Sequence, residues 1–245
     1  MAVADNLFED PRLASIYDAL DSDRSDLPVY LAIAREFGAR SAVDVGCGTG
    51  VFACLLADEG LDVTGIDPAA AMLEVARART GAGSVRWIQG AATELPPMQV
   101  DLATMTGNVA QVFLDDDEWI ATLAAVRIAL TPEGVFVFET RRPERRAWEE
   151  WNPERSFERV EIPDVGVVET WNEVIDVALP FVTFQGTIVF LADNTVLHST
   201  STLRFRTADE LHECLGRVGF DVREVREAPD RPGKEYVFIC EPNRR

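Results

Sequence analysis

Histidine occurs only twice in the 245 residues, and cysteine four times. The cysteines, Cys47, Cys54, Cys214 and Cys240, form no C-x-x-C pair, so neither a metal site nor a redox couple is spelled out. Cations are also short: 23 Lys and Arg stand against 42 Asp and Glu, a formal charge of −19. A phosphate-backbone partner needs many cations, so nucleic acid is not expected. The one basic cluster, Arg141, Arg142, Arg145 and Arg146, is expected to lie on a solvated face, with a substrate entrance as its alternative. No apolar run approaches the ~18 residues of a membrane span. The acidic start, broken by Pro11, lacks a signal-peptide pattern. The expectation is a soluble, cytoplasmic protein with reduced structural thiols and no metal, nucleic-acid or membrane partner. Oligomeric state is left open.

What the chain does have is length for one large α/β domain with an insert, 47% hydrophobic residues and one dense motif. Ser41 to Val45 reads as a buried strand and Val51 to Glu59 as a helix. Between them lies Gly46-Cys47-Gly48-Thr49-Gly50, which follows Asp44 and Val45. Glycines there allow a sharp turn and let a ligand lie against bare backbone, beside the free N–H groups of a helix start. A second apolar strand, Leu61 to Ile66, ends at Asp67, where a carboxylate can accept from both hydroxyls of a ribose. The spacing is G-x-G-x-G, not the dinucleotide G-x-G-x-x-G, which disfavours an NAD-dependent oxidoreductase.

VDVGCGTG followed by GIDPAAAML resembles the first two cofactor motifs of class I S-adenosylmethionine-dependent methyltransferases. Gly90-Ala91-Ala92-Thr93-Glu94-Leu95-Pro96 resembles that family's G-D-A-x-x-L-P, except that Ala91 replaces the aspartate that usually receives the adenine amino group. With that acceptor missing, either adenine recognition is weaker or Thr93 or Glu94 compensates. Thr106-Gly107-Asn108 after the fourth strand (Val100 to Met105) resembles the G-N of small-molecule N- and O-methyltransferases. Leu130 to Phe138 matches L-x-P-x-G-x-F-x-F, and GRVGF resembles the turn before the sixth strand. The resemblance covers 41–140 and 207–240. It implies a Rossmann-like seven-stranded sheet flanked by helices, S-adenosyl-L-methionine as cofactor, and in-line methyl transfer to a small-molecule acceptor. The cofactor set it implies is Tyr17, Asp44, Gly46, Cys47, Gly48, Thr49, Gly50, Asp67, Pro68, Met72, Gly90, Ala91, Ala92, Thr106, Gly107 and Gln111. Tyr17 and Met72 read equally as core residues. The alternative function is a non-methylating binder of S-adenosylmethionine or S-adenosylhomocysteine.

The remaining chain divides by period. Residues 1–40 carry two amphipathic helices, PRLASIYDALDSD and Leu27 to Phe37. Asp115-Asp116-Asp117 caps the helix Glu118 to Leu130 rather than holding a metal. Between Thr140 and Phe205 the pattern turns to alternating, β-branched and aromatic residues, so 141–206 is expected to be an antiparallel insertion of three or more strands acting as a substrate lid. The core domain is then 1–140 with 207–245. Trp148, Trp151, Phe157, Trp171, Phe181 and Phe184 supply either the pocket wall or the insert's own core. Thr207 and Glu210 form a capping box for the last helix. Candidate catalytic residues are Asn108, to orient a nucleophile, and His198 in the insert, as acid/base or acceptor-orienting group. His212 is expected on a helix surface.

Overall fold

The computed structural model describes residues 5–228 and 230–243. Positions 1–4, 229, 244 and 245 of the expected core domain lie outside the described residues. Three helices come first: α1 (Asn6–Glu9), α2 (Pro11–Leu20) and α3 (Leu27–Glu36). The Asp10 carboxylate accepts the Arg12 and Leu13 N–H groups at the start of α2, and Pro11 stands where no N–H is needed. Alternating units follow: β1 (Ser41–Val45), α4 (Val51–Asp58), β2 (Asp62–Asp67), α5 (Ala70–Ala78) and β3 (Val85–Gln89). Then come β4 (Val100–Met105), α6 (Asp116–Ala129) and β5 (Leu130–Arg141). The inserted segment holds α7 (Pro153–Ser156), β6 (Glu158–Ile162), β7 (Gly166–Ala178), β8 (Phe181–Phe190) and β9 (Thr195–Arg204). The described chain closes with α8 (Ala208–Arg217), β10 (Phe220–Glu227) and β11 (Glu235–Pro242).

Seven strands form one sheet in the order β3-β2-β1-β4-β5-β11-β10, with β11 antiparallel to both of its neighbours. The inner parallel strands β1, β2 and β4 are each buried at all but one position because helices cover both faces. Trp119, Leu123, Phe136, Phe138 and Leu215 build the core on one side, and Tyr30, Ile33, Phe52, Leu56 and Val137 build it on the other. β5 begins earlier than the sequence suggests: Leu130 pairs with Val100, and the ladder resumes at Leu102 and Val135 after a bulge over the Thr131–Gly134 segment. β1 is flanked by β2 and by β4, so the strand order reverses there and leaves a crevice at the strands' carboxyl ends.

The insertion forms four antiparallel strands, β6-β7-β8-β9, as a second sheet. One end of its inner face is apolar, and Leu13 and Ile16 of α2 pack there against Ile162, Val168, Ile188 and Phe190. The edge strand β9 is tied to α1: the Asn6 amide donates to the His198 carbonyl, the Leu7 N–H to Ser199 Oγ, and Ser201 Oγ to Asp5. Ala14 of α2 meets Ala69, Ala71 and Met72 on the other side. The N-terminal helices therefore bridge the two sheets and cover the crevice between them.

Candidate functional site

The glycine turn divides its work among its residues. A Cβ on Gly50, at φ +76°, would stand 2.4 Å from Trp87 Cη2 and 2.9 Å from Ala76 Cβ, so this glycine lets α4 pack on the sheet. A Cβ on Gly48 would meet only Met72 Cε at 3.8 Å; that backbone faces open space. The Gly48 N–H donates to Asp67 Oδ2 at 2.8 Å, and the Ala69 N–H donates to Asp67 Oδ1 at 2.8 Å. Each carboxylate oxygen keeps further acceptor capacity. Burial raises the Asp67 pKa, with the two backbone N–H groups opposing the rise.

A cavity of about 400 Å³ opens over this turn. Its walls include Tyr17, Asp44, Gly46, Cys47, Gly48, Thr49, Asp67, Pro68, Met72, Gly90, Ala91, Ala92, Thr106 and Gly107. Of the expected cofactor set, only Gly50 and Gln111 do not line it: Gly50 is turned to Trp87, and Gln111 is fully buried with its Oε1 accepting from Arg141 at 2.9 Å. Asp44 accepts from Thr104 Oγ1 at 2.7 Å, and burial pushes its carboxyl up to about 7. Burial likewise pushes the Tyr17 phenol up to about 12, so it stays protonated at neutral pH. Its neighbour Asp18 turns the other way. It accepts from Thr49 Oγ1 at 2.6 Å and pairs with Arg24 and Arg79, clamping α2 to the glycine turn. Phe8, Arg24, Asp26 and Phe113 also line the cavity. They stand in connectors or a short helix without a motif, so the sequence offered no signal for them.

The two catalytic candidates lie elsewhere. Asn108 is 4% exposed and lines neither this cavity nor the smaller one beside it. Its left-handed backbone turns the side chain inward, where Nδ2 donates to Glu235 Oε1 at 3.0 Å. Glu235 also receives Arg231 at 3.0 Å, with Arg141 at 3.8 Å. Beside it, Glu139 accepts the Gly107 N–H at 2.6 Å, the Asn108 N–H at 3.2 Å and the Tyr30 hydroxyl. Burial, reinforced by Glu235, pushes Glu139 up to about 7. This network fixes the loop that forms the cavity floor. Asn108 Oδ1 and Gln111 Nε2 are buried without a hydrogen-bond partner among the described residues. His198 is exposed on β9, its Nδ1 3.1 Å from Thr187 Oγ1, and lines neither cavity. His212 is exposed on α8.

Other expected features resolve as follows. Glu94 Oε2 accepts the Ala91 N–H at 2.8 Å and lies over Gly90, while neither Thr93 nor Glu94 lines the cavity. Asp115 caps α6 through the Asp117 and Glu118 N–H groups, and the Arg204 guanidinium beside Asp116 holds its carboxyl low. No group of three or more metal-ligating side chains occurs among the described residues. The basic cluster is occupied: Arg141 reaches Gln111, Arg142 pairs with Glu227, Arg145 donates to the Gly233 carbonyl and Arg146 pairs with Glu149. Trp148 packs with Val182 and Phe205 in a core of the insert, Trp151 packs on Phe184, and Phe157 stacks on Trp171. All four cysteines are free and buried. No helix among the described residues is long and apolar enough to cross a membrane.

Residues 42–134 match the family profile described as a methyltransferase domain. A protein of Geobacillus sp. (strain WCH70), provisionally named a methyltransferase, is 34% identical over 105 residues, which is 42% of each chain. The match thus spans less than half the length of that relative. Among solved structures, an S-adenosylmethionine-dependent methyltransferase from Clostridium acetobutylicum superposes with a TM-score of 0.78 at 15% identity, covering 95% of this chain and 98% of that one. CalS10 from Micromonospora echinaspora, an amino pentose methyltransferase solved with S-adenosylmethionine bound, superposes with a TM-score of 0.73 at 20% identity, covering 93% and 97%. These likenesses extend over both sheets and establish a common fold.

Proposed function

With a methyltransferase domain at residues 42–134, on the fold of the S-adenosylmethionine-dependent methyltransferases, as the premise, we propose that this protein is an enzyme that methylates a nitrogen or oxygen of a small molecule. The observation that carries the reading is the 400 Å³ cavity at the strand-order reversal, with open Gly48 backbone and the Asp67 carboxylate in its wall.

The residues fit S-adenosyl-L-methionine. Asp67 has acceptor capacity left for ribose hydroxyls, Met72 offers an apolar surface to a base, and Gly46 to Thr49 offer backbone. Asp44 and Asp67 suit a cationic ligand, since a nearby positive charge favours their ionised forms. When bound, the cofactor supplies a sulfonium methyl: the acceptor's lone pair forms the new bond, the carbon–sulfur pair stays on sulfur, and an acceptor N–H or O–H loses its proton to solvent or a base.

The chain's own contribution is placement and exclusion of water. The Glu139 network fixes the Thr106–Gly107 floor. Asp18 holds α2, and with it Tyr17, over the cavity. The four-stranded sheet β6–β9 of the insertion, which begins after Arg141 because Arg141 still pairs with Glu235 in the seven-stranded sheet, acts as the lid over the core domain. Holding acceptor and methyl in line contributes on the order of 7–11 kcal/mol through effective molarity. Tyr17, which stays protonated, serves as a donor rather than a base. His198 and Asn108 lie away from the cavities, so the acceptor proton is not assigned to them.

Titration calorimetry with S-adenosylhomocysteine, followed by detection of that product released in the presence of acceptors, tests the proposal. Saturable one-to-one uptake and acceptor-dependent release are expected. Uptake without release from any amine or hydroxyl acceptor would leave a binder, not an enzyme, and no uptake would end the reading.

A further inference from the structure

A second cavity, of about 250 Å³, lies between the N-terminal helices and the inner face of the four-stranded sheet. Tyr17 lines both this cavity and the larger one, so the two spaces adjoin at its side chain. The Asp21–Arg24 ion pair, at 2.9 Å, also stands at the boundary, Asp21 lining the smaller space and Arg24 the larger. A molecule in the smaller cavity therefore meets the proposed cofactor site along the edge of Tyr17.

The sheet face changes character here. Where α2 packs, it is apolar: Val168, Ile188 and Phe190. One step along, the register brings Asn172, Gly186 and Ser199 side by side across β7, β8 and β9. Gly186 lies in the middle of a strand and has no positive φ to explain it. A glycine inside a strand weakens it, and often marks close approach by a ligand. A Cβ there would come 3.3 Å from Asn172 Oδ1, at the cavity floor. Around this floor, the Tyr17 hydroxyl, the Asn172 amide and the Thr170 hydroxyl have no hydrogen-bond partner among the described residues. The Glu158 carboxylate at the rim has no ion-pair partner among them either. Among the described residues, no Lys, Arg or His lines the space.

We infer that this cavity is the acceptor pocket, and that it takes a compact, hydroxylated molecule carrying an amine, in preference to an anion. The inference rests on the larger cavity being the cofactor site. Uncommitted donors and acceptors match hydroxyls, since a polar group left unpaired on closure is costly. Glu158, with no lining cation to balance it, favours a positive charge and opposes a carboxylate or phosphate. The absent side chain at Gly186 provides the depth.

The test uses the full chain as wild type, Gly186→Val and Glu158→Gln. Ligand-observed NMR compares D-glucosamine, D-glucose and D-glucuronate, which place cationic, neutral and anionic groups on one ring, with S-adenosylhomocysteine present and absent. Calorimetry measures the S-adenosylhomocysteine affinity of each variant. Glucosamine should bind wild type best and glucuronate worst. Gly186→Val should abolish binding, and Glu158→Gln, at an exposed rim position, should weaken glucosamine by up to about fivefold while leaving glucose unchanged. The S-adenosylhomocysteine Kd should stay within twofold throughout, which also shows that both variants fold. The inference is overturned if glucuronate binds best, if none of the three binds, or if Gly186→Val binds as wild type does. Wild type that ignores S-adenosylhomocysteine yet binds glucosamine in the predicted pattern would sink the proposed function alone.

Discussion

Asp67→Asn separates a ligand-gripping carboxylate from a merely structural one. Asp67 is 8% exposed at the carboxyl end of β2, and its two oxygens accept the Gly48 and Ala69 N–H groups at 2.8 Å each. An asparagine of the same shape keeps one accepting oxygen and turns an NH₂ toward the other donor. Without ligand, one backbone N–H is left unpaired at about 1–3 kcal/mol. Removing a charge whose burial already raises the Asp67 pKa offsets part of that, so stability should fall by about 1–2 kcal/mol. With ligand, the loss is larger. Hydrogen bonds to a charged group contribute about 1.5–3 kcal/mol each, and the amide cannot accept from two ribose hydroxyls as the carboxylate can. A net loss of about 2–3 kcal/mol corresponds to a roughly 30- to 150-fold rise in the S-adenosylhomocysteine Kd. Calorimetry measures the Kd and urea melts the stability, with Asp62→Asn at the exposed opposite end of β2 as control. An Asp67→Asn protein that binds within threefold of wild type would refute the reasoning, as would equal weakening by the control.

The buried carboxyl of Glu139, pushed up to about 7, gives a pH signature. The folded protein holds this proton to higher pH than the unfolded chain, so the contribution to stability is lost as pH rises from about 4.5 to about 7. The unfolding free energy of wild type relative to Glu139→Gln should fall across that window by on the order of 3 kcal/mol, measured by urea titration at each pH; a flat difference would contradict the assigned burial. Gly50→Ala imposes a left-handed backbone on a Cβ that stands 2.4 Å from the Trp87 ring, at a cost of about 2–4 kcal/mol by urea unfolding. Asp18→Asn loses the carboxylate pairs with Arg24 and Arg79. Because these are part-exposed, stability should fall by only about 1 kcal/mol, while limited proteolysis within α2 quickens and the S-adenosylhomocysteine Kd rises several-fold.

Much of the half built around the glycine turn was legible because its signals are local. Asp44, the glycines, Asp67 and Gly90 to Ala92 each sit at a strand end or turn whose geometry the residue types themselves dictate. Most of that set reappears around one cavity. Gly50 shows the limit of motif reading: it belongs to the same G-x-G-x-G but serves the packing of Trp87. Asn108 and His198 show a deeper one. Loop position after β4 suggested that Asn108 faces the ligand, yet a left-handed residue redirects its side chain toward Glu235, which lies 127 residues away in sequence. His198 was attractive as a titratable group, but an alternating strand does not say which face meets a cavity, and His198 is exposed away from both.

The sequence alone determined the α/β core, the insertion and the chemistry of the glycine turn, because strand and helix periods and backbone-permissive residues act over a few positions. Tertiary structure decided which of those residues meet. It laid α1 along β9 and α2 between the two sheets, set Tyr17 between two cavities, and turned Asp18 into a clamp on Thr49. These outcomes depend on contacts between segments up to about 190 residues apart. Such contacts follow from which apolar faces remain to be buried once each element has formed, and no local pattern encodes that.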